Sequence, residues 1–354
     1  MGISRKGSVR FVGFGEAPPE PSEMVGNERV LEILRSRGVD TKGKSGEDTE
    51  KLVGIRTRWW SRHSSTELAT IAARRAVDDA AARTGGAFAV DRLDLVHSGG
   101  SSPDNVFPAC ACEVQGALGV PANRAEARDV SLACTSWLDA LVLADARMRH
   151  KGFRYGLVTT GESVGSRMNA PTSLSFTLWG DAGAAVVLEH DPEGDPSFGL
   201  IADASHADGE HADWTKSIGL GLHPSHAAWD HPDCSMLDHG RDIHKYAIRE
   251  VSSAITRLIA RERLNGEPFW LVPHNANLGL VTRIGELAGV PEDRVLTRVR
   301  DRGNTSSASV GINLVEHARS GTFRPGDLLV LAAFGGGMAM TLAAYRWPPA
   351  GDGD

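Results

Sequence analysis

Gly119-Val120-Pro121-Ala122-Asn123-Arg124 returns in the second half of the chain as Gly289-Val290-Pro291-Glu292-Asp293-Arg294. Fifteen positions beyond the first glycine stands Cys134, and fifteen beyond the second stands Asn304. The surroundings agree with the short motif. Each copy runs into a stretch of helical spacing, Ser136–His150 or Ser306–Ser320, that closes near a glycine, Gly152 or Gly321. Each then enters an apolar strand, Tyr155–Thr160 or Asp327–Ala333, followed by small residues. Upstream, Leu93–His97 and Trp270–Val272 read as matching short strands. Such self-similarity marks a repeated structural unit, and strand alternating with helix reads as α/β layers with helices covering sheet faces. The pattern predicts two copies of one α/β unit, residues 1–190 and 191–347, with a frayed tail at 348–354. Cys134 and Asn304 then occupy equivalent strand-to-helix turns.

Working outward, Arg10–Gly15 reads as a first strand, and Asn27–Gly38, the Ala-rich Ser65–Arg83 and Arg241–Glu262 as helices. Thr41–Thr49 and the His-rich stretch His206–Asp238 read as loops. The 354 residues suffice for two ordinary domains or one duplicated one. Hydrophobic content of 41% and charged content of 23% are those of a soluble globular protein. A net charge of −7 argues against nucleic acid or an anionic membrane as the main partner. Met1–Phe14 lacks the apolar core of a signal peptide, and no stretch approaches the length of a membrane span. Cys110, Cys112, Cys134 and Cys234 are too few for a disulfide framework, so the expectation is a reduced, cytoplasmic setting in which a free thiol can react.

Cys134 is preceded by what reads as an apolar strand and followed by a helix. A thiol at a helix N-terminus meets the positive end of the macrodipole, which favours thiolate, and backbone N–H groups there are free to stabilise an oxyanion. Taken alone, Cys134 reads equally as a buried structural thiol. His274 follows the strand ending at Pro273, at the edge where α/β sheets place their sites, and an imidazole there can donate or accept a proton. Gly303-Asn304-Thr305-Ser306 alone is a plausible turn and N-cap; the pseudo-symmetry with Cys134 is what singles out Asn304. Phe334-Gly335-Gly336-Gly337 lacks the spacing of a nucleotide-binding loop and suits N–H donation to an oxyanion. Among His206, His211, His223, His226, His231 and His239, only His223 and His226 have a spacing on which one metal could sit, and no zinc pattern appears; a polar loop near the entrance is the preferred reading, with no metal and no cofactor expected.

Together these residues resemble the β-ketoacyl-acyl-carrier-protein synthase III group of the thiolase superfamily, over nearly the whole chain. Gly54-Ile55-Arg56 resembles the family's early segment, and Phe107-Pro108 with Cys110-Ala111-Cys112 its dimer-interface helix. Gly180-Asp181-Ala182-Gly183 resembles the segment closing the first half; Cys134, His274 and Asn304 fall on the catalytic motifs, and Phe334–Gly337 on the terminal glycine turn. The resemblance implies a five-layer αβαβα fold of two pseudo-equivalent halves, usually a homodimer, with Phe107 reaching into the partner's acyl pocket. It implies a ping-pong reaction in which Cys134 takes an acyl group from coenzyme A or an acyl carrier protein. The N–H groups of Cys134 and Gly336 would form the oxyanion hole. His274 and Asn304 would hold the carbonyl of a malonyl-type thioester while carbon dioxide leaves. Trp137, Asn277 and Phe334, beside the motif residues, are expected with Phe107 to line the substrate pocket.

Three departures lead to the expectation of a specialised relative, of secondary metabolism. Asp48–Leu52 lacks the aromatic residue and Arg that pack on the coenzyme adenine, Leu278-Gly279-Leu280 lacks the Arg that helps to dock the carrier, and Thr135-Ser136-Trp137 replaces Ala-Gly-Phe after the nucleophile. Other readings stay open: transfer of the acyl group to a hydroxyl or amine with His274 as base, a non-catalytic partner subunit, or a cysteine hydrolase.

Overall fold

A computed structural model describes residues 7–167, 174–217 and 236–349. In chain order the first half contains β1 (Ser8–Glu16), β2 (Met24–Gly26), α1 (Asn27–Ser36), α2 (Gly46–Val53), β3 (Thr57–Trp59), α3 (Ser65–Arg83), β4 (Leu95–Gly99) and α4 (Cys110–Leu118). It continues with β5 (Glu126–Val130), α5 (Ser136–Lys151), β6 (Tyr155–Glu162), α6 (Val164–Arg167) and β7 (Ala182–Asp191). The second half contains β8 (Gly199–Ala207), β9 (Thr215–Ser217), β10 (Met236–Asp238), α7 (Gly240–Arg261), β11 (Phe269–Pro273) and α8 (Leu278–Leu287). After these come α9 (Val299–Arg302), α10 (Ala308–Arg319), β12 (Leu328–Gly335) and β13 (Ala339–Arg346).

The predicted duplication is realised in the sheets. One has the order β1-β7-β6-β4-β5 and the other β8-β13-β12-β11, read from the matching end. In each, a strand arriving from outside the repeat pairs antiparallel with the last one: β1 with β7, β8 with β13. The next pair is antiparallel (β6–β7, β12–β13) and the one after it parallel (β4–β6, β11–β12). The fifth strand differs. β5 pairs with β4 over its length, whereas its counterpart is one bridge between Leu271 and Val295.

α5 and α10 lie between the sheets and share the central core: Trp137, Leu141, Val310 and Leu314 pack with Val158, Val186, Leu329 and Leu331 from the facing strands. Glycine lets the two helices interlock, because a Cβ on Gly311 would fall 3.2 Å from the Trp137 ring. α3 covers the outside of the first sheet with a stripe of Ala69, Ala72, Ala73, Ala76 and Ala80, and α7 and α8 cover the second. The result is the five-layer αβαβα architecture. α3 starts at a capping box, Ser64 with Glu67. The same device at Ser45 and Asp48 starts α2, so the loop predicted over Thr41–Thr49 ends at Ser45.

The described parts of the His-rich stretch are less irregular than predicted. His206 lies on β8, His211 is in a short turn hydrogen-bonded to Asp208, β9 pairs with β10, and His239 precedes α7. His223, His226 and His231 lie outside the described residues.

Candidate active site

Cys134 is presented by a tight turn between β5 and α5. Ala133 takes a left-handed conformation, φ 47°. The turn is closed by Thr135 Oγ1 donating to the Leu132 carbonyl (2.7 Å), Ser136 Oγ donating to the Ala133 carbonyl (2.6 Å) and Leu132 N–H donating to Ser136 Oγ (2.8 Å). The thiol thus stands just ahead of the first turn of α5. The strand before it is not the apolar one expected: β5 is a half-exposed edge carrying Glu126, Arg128 and Asp129. The terminal glycine turn packs on the Cys134 backbone, where a Cβ at Gly335 would lie 2.7 Å from Cys134 N. No other residue fits at Gly335, and Gly336 follows it on the cavity wall.

His274 leaves the end of β11. Its N–H donates to the Ala332 carbonyl at 2.8 Å, extending the β11–β12 pairing by one step. The ring stands edge-on to Phe334, centroids 5.1 Å apart. The next residues are held firmly. Asn275 Oδ1 accepts from Thr297 Oγ1 and from Asn313 Nδ2, both at 2.8 Å, and Asn277 Oδ1 caps α8 through Leu280 N–H at 2.9 Å.

Asn304 is fixed by the first half. Its N–H donates to the Leu178 carbonyl at 2.7 Å, and its carbonyl accepts from Gly180 N–H at 2.9 Å. The Gly180-Asp181 motif therefore pins the second half's turn to the first. Asp181, buried, anchors that motif by accepting from the N–H groups of Ser61 (2.8 Å) and Gly165 (2.7 Å). Asn304 Oδ1 accepts from Ser306 N–H at 3.0 Å, which leaves the amide hydrogens for another partner.

Cys134, His274 and Asn304 line one cavity of about 360 Å³, together with Asn277, Phe334 and Gly336. Two of the pocket expectations need comment. Trp137 does not line the cavity: it is wholly buried in the core between the sheets, because α5 turns that face toward Gly311 of α10. Phe107 does not line the cavity of its own chain either; it is 83% exposed, beside Val106 at 77%. Sequence reasoning missed Ile243 and His244 of α7, and it read Ser306 only as part of a turn, although all three line the cavity. Ser101 was missed as well, having no motif around it.

Burial makes both reactive groups neutral. It pushes the Cys134 thiol up to about 11, with the nearby Glu162 charge adding to the rise and a hydrogen bond from Ser306 opposing it. The helix N-terminus was expected to favour thiolate, and here desolvation outweighs it. Burial likewise pushes the His274 imidazolium down to about 4, against a backbone hydrogen bond at Ser306. His274 Nδ1 has no partner among the described residues.

Comparisons with known proteins point to one family. Residues 128–209 match the profile described as 3-oxoacyl-[acyl-carrier-protein] synthase III, and residues 264–347 match that of its C-terminal part. The β-ketoacyl-[acyl-carrier-protein] synthase III of Xanthomonas campestris is 31% identical over 353 residues, covering 98% of this chain and 100% of that protein. The enzyme of the same name from Clostridium perfringens is 28% identical over 342 residues, 96% and 99% of the two chains. Among solved structures, the 3-oxoacyl-[acyl-carrier-protein] synthase III of Aquifex aeolicus superposes with a TM-score of 0.82 at 24% identity, over 96% of this chain and 100% of that one. A priming β-ketosynthase of a polyketide pathway gives the same TM-score and identity over 99% of each chain. No helix among the described residues is long and apolar enough to cross a membrane. With a thiolase-type fold and a full-length relative of this similarity, the chain belongs to the β-ketoacyl-acyl-carrier-protein synthase III family and is an acyl-transferring, condensing enzyme of that kind.

Proposed function

We propose that Cys134 takes up an acyl group as a thioester and passes it to a malonyl-type thioester by decarboxylative Claisen condensation. The observation that carries this is the convergence of Cys134, His274 and Asn304 on one cavity. In the first step the Cys134 sulfur attacks the donor carbonyl, the N–H groups of Cys134 and Gly336 hold the oxyanion, and the carrier thiol leaves. In the second, His274 and the free amide hydrogens of Asn304 hold the malonyl carbonyl. Carbon dioxide leaves, and the enolate carbon attacks the acyl group on Cys134.

The state of His274 favours condensation over transfer to a hydroxyl or amine. Decarboxylation needs neutral donors at the developing enolate and no base. An imidazolium held near 4 is a weak base at neutral pH, and no carboxylate orients the ring among the described residues. Donor recognition departs from the family pattern. Leu52 is 63% exposed on α2, in the stretch that lacks the family's adenine-packing aromatic residue and Arg, and Leu278 packs closely on Gly54 at the end of the same helix. The two departures are neighbours, which supports an altered carrier site. The exposed Val106 and Phe107 support a homodimer in which Phe107 completes the partner's pocket.

Intact-mass measurement after mixing with a panel of acyl thioesters tests this. The wild-type chain gains one acyl group and Cys134→Ala gains none. Asn304→Ala gains the acyl group but releases carbon dioxide from malonyl thioester about 100-fold more slowly or worse. Normal condensation by Asn304→Ala would overturn its assigned role.

A further inference from the structure

Behind Cys134 lies a buried carboxylate that the condensation does not use. Glu162, the last residue of β6, is fully buried, and among the described residues it has no Lys or Arg partner. Its Oε1 accepts from Ser101 N–H (2.7 Å), Ser101 Oγ–H (2.8 Å) and Ser307 Oγ–H (2.5 Å), and its Oε2 accepts from the Ser102 hydroxyl. Every donor is neutral. A buried charge without a counter-ion is disfavoured unless hydrogen bonds satisfy it, and here four do.

The hydroxyls continue to the nucleophile. Ser101 Oγ is 2.8 Å from Ser306 Oγ, and Ser306 Oγ is 3.6 Å from Cys134 Sγ. Proton counting gives this chain a direction. A carboxylate only accepts, so the single Ser101 hydroxyl proton is committed to Glu162. The Ser101–Ser306 contact then uses the Ser306 proton while the sulfur keeps its own, and the opposite order, with Ser306 Oγ donating to Cys134 Sγ, is the one reached once the sulfur has given up its proton.

We propose that Ser306, Ser101 and Glu162 form a proton wire that accepts the Cys134 thiol proton during acyl transfer; the inference rests on the reading of Cys134 as the acyl-carrying residue. As the sulfur attacks the donor carbonyl, the S–H bond breaks and its electron pair forms the S–C bond. The thiol proton moves to Ser306 Oγ, the Ser306 proton to Ser101 Oγ and the Ser101 proton to Glu162. The carbonyl electron pair moves to oxygen, then returns as the carrier thiolate is expelled. The proton held on Glu162 goes back along the same hydroxyls to the departing sulfur. Glu162 touches no reacting atom and acts only through the two serines.

The wire answers the difficulty of a raised thiol beside a neutral imidazole. Loss of the thiol proton to solvent would leave two negative charges, on sulfur and on Glu162, in one enclosed cluster. Moving the proton to Glu162 keeps a single negative charge there throughout. Among the described residues Glu162 is the charged group bearing on the Cys134 sulfur, and His274, which lines the same cavity, is neutral.

The test measures the rate of Cys134 alkylation by iodoacetamide, followed by peptide mapping from pH 6 to 10, in the full-length wild type, Glu162→Gln, Ser101→Ala and the double variant. Circular dichroism checks the fold of each, and Ser101→Ala keeps the test alive if Glu162→Gln does not fold. The wire predicts that each single variant alkylates about tenfold more slowly or worse at pH 7, at the low end of what a positioned base supplies. The deficit closes toward pH 10, where hydroxide takes the proton directly, and the double variant is no slower than the slower single. Glu162→Gln alkylating as fast as wild type or faster overturns the wire, since removing a negative charge beside a thiol otherwise eases its ionisation. Acyl uptake from a thioester is read separately on the same wild-type protein: a chain that takes up no acyl group yet shows the wire's alkylation pattern loses the functional reading and keeps the wire.

Discussion

The turn that carries Cys134 and the turn that carries Asn304 stand at equivalent places in the two halves, yet they are built differently. The first is closed by its own hydroxyls, with Ala133 in the left-handed region at φ 47°. The second begins with Gly303 at φ 70° and is held from outside, by the backbone of Leu178 and Gly180. One turn is closed by its own hydroxyls and ends in a thiol; the other is clamped by the opposite half and ends in a carboxamide. Duplication supplied the same scaffold twice, and the two copies present different functional groups to one cavity.

The largest effect expected from this division is in pH dependence. His274, in the second half, is held near 4, below the ordinary imidazole value of about 6.5. The unfolded chain therefore binds an extra proton between these values, and stability falls as pH drops through that window, by at most about 3 kcal/mol. Cys134, in the first half, is held above the ordinary thiol value, so its contribution is lost as pH rises through the alkaline range toward 11. Urea unfolding across pH should show His274→Asn flattening the acid side alone and Cys134→Ala the alkaline side alone. Either variant acting on both sides would break the comparison.

A smaller effect concerns the backbone before each residue. Gly303→Ala puts a Cβ 2.8 Å from the Leu178 carbonyl oxygen, at a positive φ, and should destabilise by roughly 1–3 kcal/mol. Ala133→Gly removes a left-handed alanine and should stabilise by up to about 1 kcal/mol. Thermal melting of the pair checks the opposite signs; equal signs would mean that the turns are supported alike.

The smallest effect is at Trp137. It fills the space that Gly311 leaves on the facing helix, and its buried Nε1 has no partner among the described residues. Trp137→Phe gives up packing but removes that unmet donor, so a loss of about 1 kcal/mol or less is expected, with the acyl-chain preference unchanged. A changed preference in the thioester panel would return Trp137 to the substrate pocket.

Much of this was legible in the sequence because the repeat is. Two Gly-Val-Pro motifs at equal distances from Cys134 and Asn304 set the register between halves, and α3, α5 and α7 were readable as helices. What the sequence hid was orientation. Trp137 is close to Cys134 in sequence, but the helix turns it into the core, and a residue's place in a motif does not say which way its side chain points. Glu162 left a faint signal, a charged residue closing an apolar strand, yet its partners come from two distant segments, Ser101-Ser102 and Ser307, that only the fold assembles.

Ser306 belongs to the second half, but it is interposed between Cys134 and Ser101, both of the first. A first half released on its own would keep the sulfur and the acid while losing the hydroxyl that joins them. The cysteine would then be quiet until the two halves closed, and its awakening would report that closure as faithfully as any label placed across the seam.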